Sequence, residues 1–560
     1  MEMKKIKNLF ELFKLQLDKN PNKKFLFEKK NNEWISISYS EIFKKVIYIS
    51  SYLIQRNIQK GDRVLLLSQN RIEWFIFDLS IQFIGGVTVP SFVTNSAEDN
   101  GFIIKDCKPK VIIIENEKYF KDNIKLFSKY DDQNIISIDP CKGLNDLEYI
   151  CSQEKTKKPE IIVKRNDLSS IIYTSGTSGN LKGVKLSHGS ILYNCDAAYE
   201  LIKSLKINKE RFLSFLPLSH SYERMAGLYV PLCINAEIYY CNQLERISEY
   251  FKSVKPTIVT AVPRLYENIY KRINSKLNNS NMFVKLLFKL TKSIGTKKIN
   301  SNLSLFEKFL DIFICFIIKK KIRQTFGGKI KSFISGGAAL EPSVGDFFLS
   351  CGVNILQGYG QTEAGPLISC NTIEKNSTKT VGFPIKYLTV KISKEKEILV
   401  KGPSIMLGYW NNSQLTKKTL KNNWLHTGDL GVIDTLGRLI INGRKKDLIV
   451  TSNGENISPQ KIENLLSSQP LIDQAVIYGN SKPYLIALIV PTKDIKESVM
   501  KKLLIRINDK LSFHEKVRKH LIIENPFTYK NGFLTQTLKI KKEKVFSYYE
   551  NEIKKLYGNL

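Results

Sequence analysis

The segment Tyr173-Thr174-Ser175-Gly176-Thr177-Ser178-Gly179-Asn180-Leu181-Lys182-Gly183-Val184 has the composition of a phosphate cradle. Glycines and small hydroxylated residues let backbone N–H groups turn inward, and hydroxyls with one lysine complete an anion site. Thr174, Ser175, Gly176, Thr177, Ser178, Gly179 and Lys182 are therefore candidate phosphate ligands. The segment is not a Walker A loop, because no G-K-[ST] follows at the required spacing. A plain Gly/Ser linker is the competing reading. Linkers do not normally follow a buried strand directly and end in a placed lysine, and the apolar Ile171-Ile172-Tyr173 leads straight into this loop.

A loop of this kind needs a rigid scaffold. Val64-Leu65-Leu66-Leu67 and Val111-Ile112-Ile113-Ile114-Glu115 read as buried strands, while residues 39–56 and 71–84 carry helical spacing. The alternation predicts an α/β fold of parallel-rich sheets flanked by helices. Further strands are expected at 211–216, 257–260 and 331–334. Each runs into a loop of Gly, Ser, Pro or Thr, and ligands bind outside the carboxyl ends of such strands. From about residue 381 shorter, turn-punctuated strands (397–400, 431–434, 439–441) predict a small β-rich subdomain. Beyond Gly443-Arg444-Lys445-Lys446-Asp447 helix (459–467) and strand (474–478, 485–490) mix, enough for a separate α+β domain. The expected division is 1–443, with the β-rich part at 381–443, and 444–560.

The chain has 560 residues, 25% charged and 42% hydrophobic, a globular composition that excludes disorder and fibrous repeats. Lys+Arg 86 against Asp+Glu 53 leaves a formal charge of +33. The excess is mostly lysine spread along the whole chain, without the concentrated block of a nucleic-acid surface, so no nucleic-acid partner is expected. Lysine, asparagine and isoleucine share AT-rich codons, which accounts for a diffuse excess; an anionic membrane surface is the partner class that remains. Nine scattered cysteines without a C-x-x-C pair suggest neither a disulfide framework nor a zinc site. The N-terminal pattern Leu9-Phe10, Leu12-Phe13, Leu15, Leu17 is amphipathic and unlike a signal peptide, so a reducing cytoplasm is the expected compartment. No apolar run reaches the roughly 18 residues that span a bilayer. The nearest, 309–318, is interrupted by Asp311 and followed by Lys319-Lys320-Lys321-Ile322-Arg323. It reads as a core helix with cations at its negative end, or as an interfacial helix, with the core reading favoured.

From Gly61-Asp62-Arg63-Val64 to Lys539 the chain resembles the AMP-forming, adenylate-producing ligases, with several motifs in that family's order. In Ser335-Gly336-Gly337-Ala338-Ala339 small side chains leave room for a flat ring, and the resemblance implies an adenine pocket at Gly337 and Ala338. Gln357-Gly358-Tyr359-Gly360-Gln361-Thr362-Glu363 implies an aromatic face at Tyr359 beside Gly360, a hydroxyl at Thr362 for the α-phosphate, and a magnesium-binding carboxylate at Glu363. Trp424-Leu425-His426-Thr427-Gly428-Asp429-Leu430 places one acid, Asp429, in a glycine turn as the ribose ligand. Arg444 resembles a second ribose or phosphate contact, and Lys446 a hinge. Asn531-Gly532-Phe533-Leu534-Thr535-Gln536-Thr537-Leu538-Lys539 looks like the terminal motif, with Lys539 as the adenylation lysine. Leu181 and Gln536 stand where the family usually has proline, which removes rigidity without removing a ligand.

The resemblance implies a two-step reaction using ATP, Mg2+ and coenzyme A. A carboxylate attacks the α-phosphate, pyrophosphate leaves, and the acyl-adenylate meets a thiolate after the C-terminal domain turns about Lys446. Residues 216–224 and 262–267 resemble the long-chain fatty acid–CoA ligase branch, which points to a long- or medium-chain fatty acid, with His220 as an acyl-site or gate residue. The alternatives are a fatty acyl-AMP ligase that delivers to a carrier protein, and an inactive basic membrane-surface protein on the same fold. A monomer or homodimer in the cytoplasm, with peripheral contact to anionic membrane, completes the expectation.

Overall fold

The computed structural model describes residues 3–153, 159–175, 181–278, 280–300, 304–314, 319–535 and 539–558. Four of the candidate phosphate ligands, Gly176, Thr177, Ser178 and Gly179, lie outside the described residues, as does Gln536.

The uninterrupted apolar runs become central strands because only a strand covered on both faces can bury every side chain. β1 (Arg63–Leu67) pairs in parallel with both β2 (Val87–Ser91) and β3 (Val111–Ile114), setting Leu65 beside Val89 and Ile112. β4 (Leu168–Ser175) lies parallel to β2 and then returns as antiparallel β5 (Leu181–Ser187), with Thr174 opposite Lys182. The candidate phosphate segment thus falls between the two strands of a hairpin, β4 and β5. Among the described residues this sheet has eight strands, parallel at its centre. Helix Ile72–Phe83 is apolar nearly all round and buried along nearly its whole length against this layer.

A second, nine-stranded sheet holds the parallel strands β6 (Arg211–Ser214), β7 (Ile258–Ala261), β8 (Ser332–Ser335) and β9 (Asn354–Gly360), with antiparallel strands at both edges. Between β7 and β8 the chain leaves the sheet, among the described residues, for four helices: Pro263–Asn278, α1 (Met282–Asn300), α2 (Leu305–Ile314) and Lys320–Thr325. Of the segment 309–318, read as a core helix, residues 315–318 lie outside the described residues, and over 309–314 the structure corrects that reading. Leu310 packs against the core and Ile314 is buried, but Phe309 and Ile312 face water.

A five-stranded antiparallel sheet follows, containing β10 (Trp424–Ile433) and β11 (Leu439–Arg444). β10 begins seven residues before the strand expected at 431, so Asp429 lies within a strand and not in a glycine turn. Gly428, at φ +72°, takes the left-handed conformation inside that strand, and a register shift follows at Leu430/Gly431. After Arg444 come helix Pro459–Ser467, antiparallel strands Ile472–Tyr478 and Leu485–Pro491, and parallel strand Val517–Ile522. This C-terminal region packs around hydrophobic clusters of its own.

Candidate active site

The two large sheets and the C-terminal region meet at a cleft of about 1150 Å³. Its walls include Thr174, Lys182, His220, Gly337, Tyr359, Gly360, Thr362, Glu363, Arg444, Lys446 and Lys539. Residues from six separate stretches of sequence thus converge. Ala338, expected in the adenine pocket, is exposed and does not line the cleft.

Lys182 rises from β5, and its Nζ lies 2.6 Å from Glu363 Oε1 and 2.8 Å from the Tyr409 hydroxyl. Tyr409 in turn donates to Glu363 Oε1 at 2.8 Å. Glu363 is presented by a short 3-10 turn, Thr362–Ala364, directly after β9. That turn folds back so tightly that a Cβ on Gly360 would come within 2.1 Å of the Pro366 carbonyl oxygen, so only glycine fits there. Burial alone would raise the Glu363 carboxyl, but the Lys182 charge, its hydrogen bond and the Tyr409 hydroxyl outweigh it and hold the group below the ordinary carboxylate range. Tyr409 was not singled out from the sequence. It is placed by a two-residue strand, Gly408–Tyr409, that pairs with β5, and no local pattern announces that pairing.

A second cluster surrounds Asp429. Strand register sets Asp429 opposite Arg444, whose Nε donates to Oδ1 at 2.7 Å. The Tyr359 hydroxyl donates to Oδ2 at 2.7 Å. A carboxylate has about four acceptor sites, so each oxygen keeps one for a ligand hydroxyl. Thr362 Oγ1 is 2.8 Å from Ser221 Oγ. The Thr174 hydroxyl is buried, and among the described residues it has no hydrogen-bond partner, the condition of a group that awaits a ligand. Beside it, the Tyr222 ring lies where a Cβ on Gly336 would meet it at 2.9 Å, so glycine opens the floor next to Gly337.

Lys539 enters from the C-terminal region. Its side chain is exposed where it lines the cleft. Crowding by the surrounding protein atoms, followed by the neighbouring Arg444 cation, pulls its ammonium down to about 8 against the opposing charges of Asp429 and Asp447. His220 is pulled down to about 4, first by enclosure and then by Lys539, and is neutral at pH 7. Its Nδ1 accepts from the Tyr222 N–H at 3.2 Å, so Nε2 carries the proton toward the cleft. Lys445 pairs with Glu395, whereas the adjacent Lys446 is exposed at the cleft edge.

Comparison with known proteins gives the family. A sequence model described as AMP-binding enzyme matches residues 13–410, and one described as AMP-binding enzyme C-terminal domain matches residues 446–560. The chain belongs to the AMP-binding enzyme family. Within it, a long-chain-fatty-acid–CoA ligase of Mycobacterium bovis is 28% identical over 94% of this chain and 93% of its own. A chloroplastic long-chain-fatty-acid–[acyl-carrier-protein] ligase of Arabidopsis thaliana is 26% identical over 94% of this chain and 83% of its own. The adenylation domain of a carboxylate reductase from Mycobacterium chelonae shares the fold, with a TM-score of 0.81 at 20% identity over 99% of this chain and 91% of that one. Among the described residues, no helix of this AMP-binding enzyme is long and apolar enough to cross a membrane.

Proposed function

We propose that this protein converts a long- or medium-chain fatty acid to its acyl-CoA through an acyl-adenylate, consuming ATP and releasing AMP and pyrophosphate. The observation that carries the reading is the convergence of Lys539, from one end of the chain, with Lys182, Glu363 and the Asp429–Arg444–Tyr359 cluster around one cationic cleft. In this reading Tyr359 and Gly337 bracket the adenine, and Asp429 with Arg444 takes the ribose hydroxyls. Thr174, Ser175 and the loop 176–179 cradle the phosphates with Lys182, and Thr362 meets the α-phosphate.

Negative charge gathers on the phosphate oxygens as the carboxylate oxygen bonds to the α-phosphorus and pyrophosphate departs. Lys539 and the loop donors stabilise that charge, and one well-placed donor can be worth roughly 10²–10³ in rate. Magnesium fits Glu363. The carboxylate is ionised and buried, and its hydrogen bonds from Lys182 and Tyr409 both fall on Oε1, leaving Oε2 as a hard oxygen donor. No group of three metal-ligating side chains occurs among the described residues, so phosphate oxygens would complete the shell. When bound, the ion would neutralise charge on the leaving pyrophosphate.

The acyl side of the cleft is walled by Tyr222, Met225, Ile334 and Leu367. Such a wall suits an alkyl chain, each buried methylene being worth about 0.8 kcal/mol. His220, neutral and donating through Nε2, marks the entrance to this side.

The domains divide near Arg444, and Lys446 is the hinge. Among the described residues, polar contacts between the C-terminal domain and the rest include Lys271 Nζ to the Ile472 carbonyl at 2.6 Å and Arg264 to Asp473 at 3.5 Å. A rim of this kind permits rotation. Rotation would carry Lys539 away and bring in the segment 452–456, which is now exposed and outside the cleft, to shape a path for coenzyme A.

The test is fatty-acid-dependent ATP–pyrophosphate exchange across a chain-length panel, followed by addition of coenzyme A or of a carrier protein. Exchange with thioester formed on coenzyme A is expected. No exchange with any acid would sink the enzyme reading, and transfer to the carrier alone would establish the acyl-AMP ligase alternative. Peripheral contact with an anionic membrane accompanies the reading, since such acids partition into lipid.

A further inference from the structure

We propose that the outward face of α2, with the lysines around it, docks this protein onto an anionic bilayer. The helix has its polarity inside out. Its two acids are engaged with the protein, Glu307 with Lys297 at 2.5 Å and Asp311 with Lys319. Leu310 and Ile314 complete the same side by packing toward the second sheet's core. On the other side Leu305, Phe306, Phe309 and Ile312 follow the i, i+1, i+4, i+7 spacing of one helical face and stand in water, Phe306 71% and Phe309 69% exposed. A surface helix of a soluble domain normally does the reverse. Such a contiguous apolar face marks a contact with another apolar phase.

Charge decides which phase. Between Met282 and Arg323 the chain carries ten lysines and arginines and only two acids, Glu307 and Asp311, both already paired. Lys285, Lys289 and Lys292 on α1 and Lys308 on α2 are exposed. A second copy seated on this face would press like charges together as water left. Anionic headgroups would instead neutralise them while the phenylalanines entered the acyl boundary. Met282, Phe283 and Leu286, exposed at the start of α1, add apolar side chains to the same insertion between β7 and β8. The inference rests on the fatty-acid reading for its purpose, since a bilayer is where such a substrate collects, but not for its geometry.

The full-length protein should co-sediment with vesicles of phosphatidylcholine mixed with phosphatidylglycerol, and not with phosphatidylcholine alone. Phe306→Ser with Phe309→Ser should lower that partition roughly tenfold or more. A Phe309→Trp protein should be quenched by lipids brominated on their acyl chains, which diffuse electrostatic adsorption would not produce. Unchanged binding of the double variant, absence of quenching, or equal binding to neutral vesicles would overturn the proposal. So would self-association in vesicle-free buffer that the double variant abolishes, because the face would then belong to a second copy. Exchange activity with a water-soluble medium-chain acid is the separate readout. If wild-type protein shows none with any acid yet still binds and is quenched, the fatty-acid reading fails and the docking surface stands.

Discussion

Lys182 and Lys539 face the same cleft from opposite electrostatic situations. Lys182 stands on a hairpin of the central sheet, and its charge is met by Glu363 at 2.6 Å before any ligand arrives. Lys539 comes from the C-terminal region, has no ion pair among the described residues, and is held down to about 8 by crowding from the surrounding protein atoms and by Arg444. An incoming anion meets at Lys539 a charge without an ion pair among the described residues, and at Lys182 one already met by Glu363. The lesson is a division of labour. In the proposed reaction the N-terminal wall recognises with a charge already met, while Lys539 would deliver an unpaired charge on a part that turns away.

The largest expected effect tests delivery. Lys539→Ala should lower fatty-acid-dependent exchange by roughly 10²–10³, while acyl-adenylate supplied ready-made still reacts with coenzyme A; equal loss of both steps would erase the distinction. Next, Lys446→Pro should leave exchange in place and slow the coenzyme A step about tenfold or more. Two intact half-reactions would mean that nothing turns there.

Protonation sharpens the contrast further. Lys539 must carry its proton to stabilise phosphate charge, and that proton is lost as pH rises through about 8. For exchange, kcat/KM should therefore fall above that pH, by about tenfold per unit. Lys539→Arg should move the limb upward, because a guanidinium stays charged. A limb that does not move belongs to another group. The smallest effect is expected from Tyr409→Phe, which removes one hydrogen bond at Lys182 and one at Glu363 but keeps the ion pair. The KM for ATP should rise roughly fivefold. A drop comparable to that of Lys539→Ala would show the frame to be as catalytic as the arm.

Much of this was legible in the chain. Apolar runs such as Val64–Leu67 are strands because every residue is buried, and helix Pro459–Ser467 falls on the expected 459–467. Asp429 was misplaced into a turn because Gly428 is a turn residue in most settings. Only cross-strand pairing with Arg444 shows the strand running through it. The helix α2 was misjudged because periodicity reports that a face is apolar but not which way it points.

The sequence by itself determined the family and the order of its motifs, since those are properties of short segments. Tertiary structure decided which charges are paired. Lys182 meets Glu363 across 181 positions and Tyr409 across 227, and Lys539 reaches the cleft from another region of the chain. It also decided that the phenylalanines of α2 face water. Spacing along a chain encodes local conformation, whereas pairing, enclosure and exposure depend on what packs alongside.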